Sequence, residues 1–144
     1  MSLLKERIAV THPLVPLTFV GYDLAASQTG TGIYIVATGP SAKIDAQTHV
    51  LPWNGCLMAV AIKLSTAKTA GTLSITPTID GTAVSALTTT VGTATDYTTR
   101  VNYNAARFSA GAKLGVAYTS DASFAPSTMD IAVVVYVVYD GVMY

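Results

Sequence analysis

The side chains able to do chemistry in this 144-residue chain are few and scattered. Ser65 and Lys68 have the Ser-x-x-Lys spacing of penicillin-recognising enzymes, but they end a strand-like run instead of sharing a helix, and the Lys-Thr-Gly partner motif is absent from the sequence. The histidines His12 and His49 are isolated, and the aspartates follow no metal-loop pattern. Glu6 is the only glutamate, so a catalytic Glu pair of the glycosidase type is not available. We therefore expect no enzyme, no catalytic residue and no metal site.

The composition argues against further classes of function. Eight Lys and Arg residues balance eight Asp and Glu residues without a basic cluster, which argues against direct binding to nucleic acid. Gly30-Thr31-Gly32 precedes a strand-like run, whereas a dinucleotide loop opens a helix, so we expect no cofactor. The apolar run 131–139 is shorter than the about 20 residues of a membrane helix, and residues 1–7 lack the apolar core of a signal peptide. We expect a soluble chain made in the cytosol without a membrane partner, and we expect Cys56 to be a small buried hydrophobe.

Residues 129–139, Met-Asp-Ile-Ala-Val-Val-Val-Tyr-Val-Val-Tyr, carry the strongest structural signal. A strand with one wet face alternates apolar and polar side chains, but here both faces are apolar. Charged residues are only 11% of the chain, against about 25% in an average soluble domain. We expect one face of this strand to enter the core and the other to contact another subunit or a larger surface. The predicted residues of an oligomer interface are Ala132, Val134, Tyr136 and Val138.

Residues 1–13 differ in pattern from the rest and predict an N-terminal arm before a single domain, residues 14–144. Apolar residues flank a charged Lys5-Glu6-Arg7 triplet, and Pro13 ends the pattern. Extended at about 3.3 Å per residue, such an arm reaches roughly 40 Å, which is far enough to contact a neighbour. The alternative is a frayed or tucked-in terminus. The predicted anchors that bind a neighbouring molecule are Leu3, Leu4, Ile8 and Val10.

Short strand-like runs separated by turn residues fill the remaining sequence and predict an all-β fold. The clearest hairpin places Asp80-Gly81 between two strands, because this dipeptide supplies the positive φ angles of a tight turn. About eight strands in one domain are typical of a β-sandwich of the jelly-roll type. The predicted strands cover residues 14–20, 32–38, 49–53, 55–65, 73–79, 82–84, 96–103, 113–119 and 131–139.

The segment from Leu51 to Tyr139 resembles small jelly-roll modules of tailed bacteriophage virions, above all the head decoration (cementing) proteins. The resemblance implies a homotrimer on the capsid exterior that binds across subunits of the major capsid protein and stabilises the shell. Related modules often have an Asp directly after the glycine of Phe-x-x-Gly, where this chain has Ala112-Lys113. The segments that carry the resemblance are Trp53-Asn54-Gly55 with Met58-Ala59-Val60-Ala61-Ile62, Ala70-Gly71-Thr72-Leu73-Ser74-Ile75 with Ile79-Asp80-Gly81-Thr82, Phe108-Ser109-Ala110-Gly111 with Leu114-Gly115-Val116, and Phe124-Ala125-Pro126 with Asp130-Ile131-Ala132-Val133.

The same motifs occur in tail and fibre modules, so a second function stays open. A tail-tip or fibre module would bind a saccharide of the host surface, with Trp53, Tyr97 and Tyr103 as candidates for stacking on the sugar. Trp53 also has two structural interpretations, because a loop tryptophan either anchors an interface or covers the end of the core.

Overall fold

A computed structural model describes residues 14–35 and 47–140 of the chain. Within these ranges the chain is almost entirely β-strand, so the predicted all-β class is confirmed. A 3₁₀ turn at Ser85–Leu87 connects the sixth strand to the seventh. The strands are β1 (Val15–Gly21), β2 (Gln28–Gly32), β3 (Thr48–Val50), β4 (Gly55–Leu64), β5 (Leu73–Ile79), β6 (Thr82–Ala83), β7 (Thr89–Thr90), β8 (Asp96–Arg100), β9 (Arg107–Phe108), β10 (Lys113–Ser120) and β11 (Ile131–Tyr139).

The strands form two antiparallel sheets that pack face to face. Sheet I has the order β1-β11-β4-β8, and β9 pairs with β4 beyond the end of β8. Sheet II has the order β2-β10-β5-β6, with β3 beside β10 and β7 beside β5. Consecutive strands β10 and β11 lie in different sheets, so the chain crosses the sandwich between them. This arrangement is the predicted β-sandwich.

The apolar strand β11 lies between β1 and β4 in sheet I, as its sequence suggests. Ile131, Val133, Val135 and Val137 are at most 3% exposed and belong to the core between the sheets. The same core contains Phe19 from the neighbouring strand β1 and Leu73 and Leu114 from sheet II, and all three are completely buried. A strand whose inward side chains are all β-branched packs tightly on a pleated surface, which explains the central position of β11.

The Asp80-Gly81 turn is confirmed. β5 pairs with β6 through Ile79 and Thr82, so the loop contains only the two predicted residues. Asp80 has φ of 51° and Gly81 has φ of 82°, the left-handed backbone that this type of hairpin requires.

Other strand boundaries differ from the predicted ones. Residues 28–31 are outside the predicted strands, but β2 begins at Gln28 and pairs with β10, whereas residues 33–35 of the predicted strand 32–38 contain only an isolated bridge at Tyr34. Side chains of β10 explain the pairing of β2, since the Gln28 and Gly30 amides donate to the hydroxyls of Ser120 and Thr119 at 3.2 and 3.1 Å. The strands β3 and β8 end earlier than predicted, and the two-residue strands β7 and β9 were not expected.

The predicted N-terminal arm, residues 1–13 with Leu3, Leu4, Ile8 and Val10, lies outside the described residues. The arm therefore stays a prediction. The predicted buried state of Cys56 is confirmed, because its side chain is 0% exposed and is not in a disulfide.

One corner of the sandwich joins the β4–β5 connection to the β10–β11 connection. The Asp121 carboxylate accepts the Thr72 amide at 3.1 Å and the Ser123 hydroxyl at 3.2 Å. The bond from the Thr72 amide is the main reason why the pKa of Asp121 is lowered. Gly71 has φ of 72°, and a Cβ there would collide with the Asp121 carboxylate and the backbone of Phe124. The corner is therefore fixed by backbone as well as side-chain contacts.

Candidate functional site

The outer face of sheet I, the side turned away from the core, has an apolar centre and charged residues at one edge. Side chains alternate along each strand, so the residues between the core positions of β1, β11, β4 and β8 point outward. The pairing registers align them in three rows across the sheet. From β1 to β8 the rows are Val20, Ala132, Lys63 and Asp96; Thr18, Val134, Ala61 and Thr98; and Pro16, Tyr136, Ala59 and Arg100.

A shallow trough runs along this face because the outward residues of β4 are small. Ala59 and Ala61 form its floor, while larger side chains stand on β11 at one side and on β8 at the other. The trough consists of a hollow of about 370 Å³ beside Val134 and a hollow of about 390 Å³ beside Tyr136. Ala61 and Thr98 line both hollows, so the two lie side by side along the sheet. The trough could receive an apolar ridge of another molecule.

Charged side chains mark the β8 rim of the trough. Lys63 donates to the Asp96 carboxylate at 2.7 Å, and this hydrogen bond is the main reason why the pKa of Asp96 is lowered. Both side chains are about two-thirds exposed, so the pair adds little to the stability of the fold. Arg100 lies on β8 two rows from Asp96 and is also exposed. The rim thus presents charges of both signs.

Of the four predicted interface residues, three lie on the outer face of sheet I and the fourth is buried. Ala132, Val134 and Tyr136 are half-buried on the outer face, and each lines the trough. Val138 is only 5% exposed, although it lies outside the core cluster. A β-bulge separates it from the others, because Met58 is an extra residue of β4 between the partners of Tyr136 and Val137. Val138 therefore offers little surface to a neighbour.

The floor of the trough was not identified from the sequence. The alternation Met58-Ala59-Val60-Ala61-Ile62 puts small apolar residues on one face of β4 and large ones on the other. This alternation is the sequence signal from which the floor of the trough could have been predicted. It becomes a trough only because β11 and β8 are the neighbours of β4, and strand order depends on the whole chain.

The three aromatic residues proposed for sugar stacking are not brought together. Trp53 and Tyr103 lie at the end of the sandwich where β11 ends, and about half of each side chain is exposed. Tyr97 points inward from β8 opposite Ile62 and donates its hydroxyl hydrogen to the Ala94 carbonyl at 2.9 Å. The sugar-stacking hypothesis is thus reduced to Trp53 and Tyr103.

Polar groups accompany these two aromatic residues. The Trp53 ring meets the Tyr139 ring edge-on, with centroids 5.4 Å apart, so it covers the end of the core only in part. The Tyr103 hydroxyl donates to the Asp140 carboxylate at 3.3 Å. Arg107 forms an ion pair with the same carboxylate, and this pairing raises the pKa of Arg107. This end therefore combines exposed rings with hydrogen-bonding groups.

The other candidate chemical residues make structural contacts. The Ser65 hydroxyl accepts the Asp130 amide at 2.8 Å, and the Lys68 ammonium donates to the Gly71 carbonyl at 2.6 Å. The His49 ring packs edge-on against Phe19, with centroids 5.1 Å apart. His12 lies outside the described residues.

Over residues 14–35 and 47–140, no group of three or more His, Cys, Asp or Glu side chains is placed to hold a metal ion. The same residues include no helix that is long and apolar enough to span a membrane.

Comparison of the sequence with protein-family models and with curated proteins gives no match.

Proposed function

We propose that this chain is a structural virion protein of a tailed bacteriophage, which binds the capsid exterior across neighbouring major capsid protein subunits and stabilises the shell. The observation that carries this proposal is the trough on sheet I, an apolar surface with charges of both signs at its rim. The resemblance of residues 51–139 to head decoration proteins supplies the class of partner.

The trough suits a protein that works through contact area. Each 100 Å² of apolar surface removed from water contributes about 2.5 kcal/mol, before the costs of association. Because a decoration protein repeats its contact over the whole shell, even a small apolar surface gives a large total effect. The rim supports this role, since charges beside an apolar centre orient a partner more than they strengthen its binding.

Counting the copies of this chain in purified virions tests the proposal. Quantitative mass spectrometry compares its molar amount with that of the major capsid protein. A decoration protein is expected at a copy number of the same order as the major capsid protein. A few copies per particle would instead assign the chain to the tail and would contradict the proposal.

A second experiment tests the surface itself. Ala61→Arg places a long charged side chain at the junction of the two hollows, so it should prevent co-sedimentation of the purified protein with expanded capsids. Thr82→Arg is the matched control, because Thr82 is exposed on β6 in the other sheet. If Ala61→Arg binds capsids as tightly as the control, the trough is not the docking surface.

The exposed aromatic end of the sandwich favours a second candidate function, binding of a host-surface saccharide by a tail component. Trp53 and Tyr103 could stack on the apolar faces of a sugar, while Arg107 and Asp140 could bind its hydroxyl groups. Trp53 is the only tryptophan, so its fluorescence reports directly on this site. Titration with neutral mono- and disaccharides should quench or shift the emission if the candidate is right, and Tyr103→Ala should weaken that response. Unchanged emission at saturating sugar concentrations would eliminate this function.

A further inference from the structure

We propose that the free edge of β8 pairs antiparallel with β8 of a second copy, so that sheet I continues across a two-fold axis at Thr98. This inference does not depend on the proposed virion role. It also differs from the trimer that the family resemblance implies.

The backbone of β8 shows which groups form the free edge. The Thr95 carbonyl accepts the Leu64 amide at 2.8 Å, and the Val101 amide donates to the Met58 carbonyl at 3.0 Å. Both residues therefore direct backbone groups toward β4. Because this direction alternates along an antiparallel strand, Asp96, Thr98 and Arg100 direct their amides and carbonyls away from β4. Among the described residues, β4 is the only pairing partner of β8.

An antiparallel copy of β8 fits this edge in one register. With Thr98 opposite the partner's Thr98, Asp96 lies opposite the partner's Arg100, and Arg100 lies opposite the partner's Asp96. These are the residues whose backbone groups point outward, so each of the three pairs forms two hydrogen bonds. Opposite charges directly across two strands stabilise the pairing. The charge pattern of β8 is thus complementary to itself under a two-fold rotation.

Charges on an edge strand usually prevent pairing, but their positions matter here. Another register would place like charges opposite each other or leave both Asp96 and Arg100 without a charged partner on the second copy. The Asp96 carboxylate has enough acceptor positions to keep Lys63 of its own chain while it binds the partner's Arg100. The charges therefore select one register and disfavour others.

The opposite edge of sheet I is blocked by its own chain. Pro16 has no amide hydrogen, the Thr18 carbonyl lies 3.3 Å from Nε2 of His49, and Val20 exchanges backbone hydrogen bonds with Tyr34. The contrast between β1 and β8 indicates that β8 is the edge available for association. In the resulting dimer the troughs of the two copies lie on either side of the axis, which doubles the docking surface.

Sedimentation equilibrium of the full chain tests this dimer. Wild-type protein should form dimers. Arg100→Glu places two carboxylates opposite each other in both symmetric pairs of the dimer, so it should raise the dimer Kd roughly tenfold or more. The triple variant Lys63→Glu, Asp96→Arg, Arg100→Glu reverses every charge while keeping the opposite pairs, so it should restore dimerisation. A trimer, a monomer at about 1 mM, or a dimer that Arg100→Glu leaves intact would overturn the proposal.

A disulfide experiment tests the register independently of the charges. Hydrogen-bonded partners on antiparallel strands have Cα atoms about 5.5 Å apart, within the range of a disulfide. Thr98→Cys should therefore give a covalent dimer on oxidation, whereas Thr18→Cys, on the opposite strand of the sheet, should not. Cys56 is completely buried and should not interfere. A cross-link from Thr18→Cys and none from Thr98→Cys would place the contact elsewhere and refute the edge pairing.

Discussion

Val134→Lys is the substitution that separates the two association surfaces proposed for this chain. Val134 lies in the middle of the outer face of sheet I, between Thr18 and Ala61, and lines the trough. It is two strands away from the β8 edge. The substitution should therefore weaken capsid binding while leaving the β8 dimer in place.

The size of the effect follows from the position of Val134. Complete burial of a valine side chain contributes about 1.5–3 kcal/mol, and Val134 is already half-buried, so docking gains about 1 kcal/mol from it. An ammonium group held in the apolar contact loses hydration, which costs about 2 kcal/mol more. Together these terms give about 3 kcal/mol, or roughly a hundredfold increase in Kd per site.

Co-sedimentation of the purified variant with expanded capsids over a range of concentrations measures this change. Thr82→Lys is the control, since it adds the same charge at an exposed position of the other sheet. Circular dichroism and thermal unfolding establish that both variants are folded. Capsid binding by Val134→Lys within about threefold of the control would refute the docking surface, because it would leave less than about 0.7 kcal/mol for this contact.

Three further predictions concern the fold and the arm. Gly81→Val should lower the free energy of unfolding by on the order of 1 kcal/mol or more, because a β-branched residue must adopt positive φ in an open turn. Gly71→Ala should lower it further, because the added Cβ also collides with backbone atoms. Thermal unfolding of both variants measures the two losses, and equal losses would contradict this ranking. Deleting residues 2–12 should leave the melting temperature nearly unchanged but weaken capsid binding; equal binding would assign docking to the sandwich alone. The pKa of Asp121 is lowered by the Thr72 amide, so the carboxylate contributes its full stabilisation above the ordinary carboxyl pKa and loses it as the pH falls through the lowered value. Asp121→Asn should therefore lose less stability than wild type between about pH 5 and pH 2. Parallel curves of unfolding free energy against pH for the two proteins would contradict this.

Local sequence signals predicted the elements that depend on local chemistry. The two-sided apolar pattern placed β11 correctly, because its inward residues alone provide a complete core face. Asp80-Gly81 placed its turn correctly, because positive φ at two consecutive positions is a property of those two residues. Neither result required knowledge of the neighbouring strands.

Elements that depend on a distant partner were not predictable in this way. β2 has no apolar periodicity and forms because β10 supplies backbone and hydroxyl partners. The inward orientation of Tyr97 likewise depends on the register of β8 against β4, and this removed it from the aromatic site. Val138 was assigned to the outer face by simple alternation, but the bulge at Met58 changes its surroundings.

The arrangement of charge around the trough suggests how a chain with no net charge avoids indiscriminate association. An apolar floor binds any complementary apolar surface, so affinity alone would not choose a partner. Lys63 pairs with Asp96 at one end of the trough, and Arg100 stands at the other end, where the proposed dimer pairs it with Asp96 of the second copy, so a docked partner must fit beside these ion pairs as well as fill the trough. A misplaced partner covers the Lys63–Asp96 ion pair with apolar surface and removes its charges from water, which is costly. On this view the floor supplies most of the affinity, and three charged residues supply most of the specificity.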